Sequence, residues 1–131
     1  MGCRVLLVED HALVVDALTI LLESGGHEVR VAATVAEAVA RGQEAPVDLL
    51  LLDLTLPDGD GLSVLRGLRE AGAPPALAVA LTGRDDPATA ARCEAAGCRA
   101  LLIKPVPTRE LMARVAEWER EVRSASGAPR A

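Results

Sequence analysis

Val47-Asp48-Leu49-Leu50-Leu51-Leu52-Asp53-Leu54-Thr55-Leu56-Pro57 is the stretch on which the fold turns. Its first half is almost continuously apolar, as expected of a strand covered by helices on both faces. Four shorter apolar runs flank it: Arg4 to Val8, His27 to Ala33, Leu77 to Leu81 and Arg99 to Ile103. Helical patterns separate the runs, and this alternation predicts an α/β domain with a five-stranded parallel sheet and the third strand central.

The helices carry their own boundary signals. The first spans Leu13 to Glu23 and stops at Gly25-Gly26. Thr34 with Glu37 reads as a capping box opening the second. The third covers Gly61 to Ala71, with Leu62, Leu65 and Leu68 on one face. Asp86-Pro87 supplies an N-cap and a first-turn proline for the fourth, which ends near Gly97. The fifth runs from Thr108 to Arg123 with Leu111, Val115, Trp118 and Val122 on one stripe. The expected organisation is one domain over residues 1–123, followed by a Ser/Gly/Pro/Ala tail or linker at 124–131.

Composition narrows the function. The 131 residues are 50% hydrophobic and 25% charged, enough to build a core. Nineteen acids against 14 bases give a net charge of −5, so no basic patch is expected for a nucleic-acid backbone or an anionic membrane. Trp118 is the only aromatic ring, which argues against base stacking. No apolar run approaches the ~20 residues of a membrane span, and a cytoplasmic location is expected. Cys3, Cys93 and Cys98 lack the spacing of a zinc site or a disulfide framework.

In a parallel α/β sheet, functional groups gather where strands end and loops begin. Glu9 and Asp10 follow the first strand, Asp53 the third, Thr82 the fourth and Lys104, the only lysine, the fifth. Clustered carboxylates repel unless a cation intervenes, and hard oxygens without nearby imidazole or thiolate favour Mg²⁺ or Mn²⁺. Lys104 offers an ammonium to a phosphoryl oxygen and Thr82 a hydroxyl, while Asp53 is a candidate phosphoryl-accepting nucleophile. Taken singly, each residue is an ordinary cap or turn residue; the placement at four strand ends carries the signal. Other motifs fail: Asp58-Gly59-Asp60-Gly61 lacks the ligands of an EF-hand, and no dinucleotide or P-loop fingerprint occurs.

Val5-Leu-Leu-Val-Glu-Asp10, Asp48 to Pro57, Gly61, Ala80-Leu-Thr-Gly83 and Leu102-Ile-Lys-Pro105, in this order and spacing, closely resemble the receiver domain of bacterial two-component response regulators. The resemblance covers about residues 3–123. It implies a CheY-like, flavodoxin-like doubly wound (βα)5 fold with strand order 2-1-3-4-5. It further implies that Asp53 accepts a phosphoryl group from a phosphohistidine. Asp10 matches the direct metal ligand, Glu9 its water-mediated neighbour and the Thr55 backbone carbonyl a third contribution. Lys104 matches the phosphoryl-binding lysine, with a cis peptide to Pro105, and Thr82 the switch hydroxyl.

The resemblance implies a signalling domain rather than an enzyme acting on external substrates, with phosphotransfer to itself and later autodephosphorylation. As partners it implies a histidine kinase or phosphotransfer protein and a downstream protein reached through the fourth helix, fifth strand and fifth helix. Two departures stand out. Leu101 occupies the place of an aromatic switch residue, and Cys98-Arg99-Ala100 stands where many transcription-factor receivers carry acids that pair across a dimer. The wording of 56–62 with 80–83 looks most like receivers of hybrid sensor kinases. The alternatives are a small metal-dependent phosphohydrolase and a phosphate-independent binding module.

Overall fold

A computed structural model describes residues 2–125 of the chain. Five parallel strands form the sheet: β1 (Arg4–Val8), β2 (Glu28–Ala32), β3 (Leu49–Asp53), β4 (Leu77–Thr82) and β5 (Ala100–Ile103). Their spatial order is β2-β1-β3-β4-β5, the expected doubly wound arrangement with the reversal between β1 and β3. The helices are α1 (Ala12–Ser24), α2 (Val35–Gly42), α3 (Leu62–Glu70), α4 (Pro87–Ala96) and α5 (Thr108–Ala125).

Alternation along β1 and β3 divides the core in two. Val5, Leu7, Leu49 and Leu51 join Leu22 of α1 and Leu111, Val115 and Trp118 of α5. Leu6, Val8, Leu50 and Leu52 face the other way, onto Ala38 of α2 and Val64, Leu65 and Leu68 of α3. Every residue of β3 is buried, which explains its unbroken leucines. Truncating Leu51 to Ala would cost about 2–5 kcal/mol, because neighbours on both strands and helices cannot close the gap.

The caps form largely as the sequence directs. Thr34 Oγ1 accepts from Glu37 N at 3.0 Å, but the Glu37 carboxylate reaches Ala33 N at 2.7 Å, one residue before the expected partner. Asp86 accepts from Thr89 N at 2.8 Å, with Pro87 opening α4. Gly97, at φ +92°, closes that helix in the left-handed region that favours glycine.

Two features were not anticipated. Thr55–Leu56 and Gly59–Asp60 pair as a tiny antiparallel hairpin between β3 and α3. Such two-residue strands have no periodicity to detect. The last helix also continues through Ser124 and Ala125, past the expected start of the tail. The rest of that expected linker, 126–131, lies outside the described residues.

Candidate functional site

Strand register aligns the key acids. Val5 to Val8 pair with Leu49 to Leu52, so the next residues in line are Glu9 and Asp53. Asp53 lies opposite Leu81 on β4, Thr82 pairs with Ile103 on β5, and Lys104 follows. Lys104 N–H donates to the Thr82 carbonyl at 2.8 Å, anchoring the start of its loop. The Lys104–Pro105 peptide is cis, as the resemblance implied.

Lys104 reaches across the end of the sheet. Its Nζ donates to Glu9 Oε1 at 2.7 Å and to Asp53 Oδ2 at 3.3 Å. The remaining oxygens are also engaged: Glu9 Oε2 accepts from His11 N at 3.1 Å and Asp53 Oδ1 from Thr55 N at 3.0 Å. Carboxylate oxygens of Glu9, Asp10 and Asp53 lie within 4.8 Å of one another. Glu9 and Asp53 are buried and Asp10 is exposed, so the cluster has a solvent-facing side.

Electrostatics show what such a cluster lacks. Burial pushes the Glu9 carboxyl above its ordinary range, and the nearby Asp53 charge adds to the rise; the Lys104 and His11 hydrogen bonds oppose it. Burial alone would lower Lys104, but its bond to Glu9 and the charges of Asp53 and Glu9 hold it above its usual value. The lysine therefore keeps its proton. One ammonium facing three acids leaves room for a further cation, and an oxygen-only donor set fits a hard divalent ion.

The other expected residues sit around this centre. Thr82 is buried, and its hydroxyl accepts from Arg84 N at 3.1 Å within its own loop. Thr55 begins the hairpin, two residues after Asp53. Leu101 is half-buried on β5 opposite Ala80. Thr55 and Thr82 line a cleft of about 440 Å³ together with Arg84 and Arg92.

Sequence reasoning passed over three features here. Asp58, at the hairpin turn, accepts from Val35 N at 2.7 Å and Ala36 N at 3.1 Å, tying the loop after Asp53 to the start of α2. Asp60 pairs with Arg92 of α4 and also accepts from Leu62 N at 2.9 Å. A groove of about 340 Å³ separates α1 from the loop after β5; Leu13, Leu21, Lys104, Pro105 and Val106 are among its walls. Leu13 and Ile20 are 74% and 67% exposed, so α1 carries an apolar outer face. That face is legible as an excess of apolar residues in α1, more than one buried stripe needs.

Known proteins share this fold. A model of the family described as response regulator receiver domain matches residues 5–116. Transcriptional regulatory protein ResD of Bacillus subtilis is 36% identical over 112 residues, 86% of this chain and 46% of its own length. The DNA-binding response regulator MtrA of Mycobacterium tuberculosis is 35% identical over 116 residues, 88% and 50% respectively. The chain thus spans about half the length of the curated relatives it matches. A CheY-like receiver domain protein from Methanospirillum hungatei superposes with a TM-score of 0.85 at 28% identity, over 95% of this chain and 99% of that one. The receiver domain of sensor histidine kinase PA1611 from Pseudomonas aeruginosa, with magnesium coordinated in its active-site cleft, gives 0.81 at 29%, over 92% and 99%. The match extends from the first strand into the last helix and agrees with the fold at every strand, so the chain belongs to the response regulator receiver domain family.

Proposed function

We propose that this domain accepts a phosphoryl group on Asp53 from a phosphohistidine and thereby changes its affinity for partner proteins. The observation that carries the reading is Lys104 Nζ at 3.3 Å from Asp53 Oδ2, beside an acid cluster open to solvent. Packing alone gives no reason to bury carboxylates around an ammonium, since the desolvation cost must be offset.

In the transfer, a carboxylate oxygen of Asp53 bonds to phosphorus as the bond from phosphorus to the imidazole nitrogen breaks. Lys104 neutralises the arriving charge and stays protonated throughout. Glu9, Asp10 and Asp53, with the Thr55 carbonyl, would hold Mg²⁺ or Mn²⁺, which when bound supplies positive charge to the phosphoryl oxygens. Thr82 would leave its local bond with Arg84 N and donate to a phosphoryl oxygen. Autodephosphorylation follows when water attacks the phosphorus, the bond from phosphorus to the Asp53 oxygen breaks and inorganic phosphate leaves, so the domain assists only its own modification.

A phosphohistidine can reach Asp53 only if the donor protein packs on the rim of the site. The exposed apolar face of α1 and its groove beside Lys104 give a histidine kinase or phosphotransfer protein such a rim. The downstream protein engages α4, β5 and α5. Partners on these residues are proteins, and the DNA binding named for MtrA is said of a chain about twice the matched length. Among the described residues no helix is long and apolar enough to cross a membrane, and the reading places the domain in the cytoplasm, where kinase phosphoryl groups are made. Attachment to a hybrid sensor kinase gains support from the PA1611 likeness, and the curated relatives quoted favour a transcriptional regulator.

Incubation with acetyl phosphate and Mg²⁺, followed by mass spectrometry, tests the reading. One acid-stable, hydroxylamine-labile phosphoryl adduct is expected, and Asp53→Asn should remove it. An adduct of equal yield on Asp53→Asn would overturn the assignment.

A further inference from the structure

Two thiols meet at the end of α4, away from the strand-end acids. Gly97 N–H donates to Glu94 O and Cys98 N–H to Cys93 O, each at 3.0 Å, around the left-handed Gly97. This pair of bonds closes a helix so that the side chain just beyond the glycine returns onto the one five residues before it. Here those two side chains are Cys93 and Cys98. Cys98 packs against the small buried cluster that holds Cys93, and both cysteines are free. A disulfide needs Cα atoms about 4.4–6.8 Å apart, a spacing that a direct backbone bond between the same two residues permits.

The surroundings favour an intramolecular bond. Cys93 is buried among Leu54 and Ala80, with Leu62, Leu101 and the half-buried Cys98 packed against that cluster. Arg69 of α3 donates to Ala96 O at 2.6 Å, holding the last turn of α4 in place. Cys3 lies in the separate cluster on the opposite face of the sheet.

We propose that Cys93 and Cys98 form a redox-modification site that closes to a disulfide across the α4–β5 turn when the protein meets a peroxide. The Cys98 thiolate attacks one peroxide oxygen, the O–O bond breaks, and a sulfenic acid and one water result. Cys93 sulfur then displaces the second water and the S–S bond forms. Two thiols give up two electrons and two protons, and hydrogen peroxide becomes two waters. Burial pushes the Cys98 thiol up to about 11, so the thiolate is scarce at neutral pH and its attack on peroxide is slow. The disulfide ties the last turn of α4 to the entry of β5. Its effect on signalling rests on the proposed role of the α4–β5–α5 face; its formation does not.

Trypsin gives a direct test, because Arg92 and Arg99 bracket both cysteines in one peptide, 93–99. After peroxide treatment of the folded protein, that peptide should be lighter by two hydrogens, recover with dithiothreitol, and show no such loss in Cys98→Ser. A peptide whose two thiols remain alkylatable, or a disulfide between chains, would overturn the proposal and leave a packing pair. Hydrogen exchange over α4, read with Mg²⁺ and beryllofluoride as the phosphoryl mimic, tests the consequence. The response should be present in reduced protein and at least halved after oxidation; an equal response in both would overturn the locking role. No response even in reduced protein would count against phosphoryl control itself, while the peptide mass would still decide the disulfide.

Discussion

Glu9 and Lys104 stand 95 residues apart in the chain and 2.7 Å apart in space, with Asp53 completing the contact at 3.3 Å from the same ammonium. The lysine thus sits between two buried acids before any phosphoryl group arrives, where it competes with a metal cation for the acids and supplies positive charge for the phosphoryl oxygens. Removing it should have opposite effects on the two ligands of the site.

In Lys104→Ala, the three acids lose their competing cation, so Mg²⁺ affinity should rise severalfold in an NMR titration. Phosphorylation by acetyl phosphate should fall, since a charge-assisted bond worth about 1–3 kcal/mol is lost from the transferred group. Lys104→Arg should restore only part of it, because a planar guanidinium does not fit where a point charge sat. Equal losses of Mg²⁺ binding and phosphorylation in Lys104→Ala would contradict this account.

The apolar face of α1 separates protein donors from small ones. Leu13→Asp places a charge on a side chain that is 74% exposed, so folding should change by less than about 0.5 kcal/mol. Transfer from a phosphohistidine protein should slow tenfold or more, while acetyl phosphate labels Asp53 at the unmodified rate. Parallel loss with both donors would place the defect in the site itself.

Leu101 tests how the switch travels. It packs beside Leu54, Ala80 and Cys93, and a leucine lacks the ring that could turn inward as a lever. Leu101→Ala should lower stability by about 1–3 kcal/mol, discounted for its partial exposure. The α4 hydrogen-exchange response to beryllofluoride should persist, carried by Thr82 and the loop to Pro87. A folded, phosphorylatable variant with no response would show that the leucine is the lever.

Acid should loosen the hairpin after Asp53 through its tether to α2. Two backbone N–H groups, of Val35 and then Ala36, hold the exposed Asp58 carboxyl below its usual 3.8. The folded state therefore binds that proton less readily than the unfolded chain. The stabilisation is complete above the unfolded value and is lost as pH falls through the lower folded one. Asp58→Asn still accepts hydrogen bonds but does not titrate, so its urea midpoint should fall less than that of the unmodified protein between pH 6 and about 3. Identical pH dependence of both would rule out Asp58 as a contributor.

The alternation of apolar runs with capped helical patterns was enough to define the sheet, because each strand and helix boundary is set by neighbours in sequence: Thr34 with Glu37, Asp86 with Pro87, Gly97 after α4. The strand-end residues were equally legible, since a parallel sheet delivers every strand's carboxyl end to one edge. Tertiary structure alone decided their contacts. That Lys104 reaches both Glu9 and Asp53, that Thr82 spends its hydroxyl on Arg84 N, and that Asp58 caps a helix begun 23 residues earlier all depend on register and loop path. The meeting of Cys93 with Cys98 likewise needs the positive φ of Gly97, which folds the chain back on itself. Local sequence sets dihedral preference and burial, whereas distances between remote side chains arise only when strands are packed side by side.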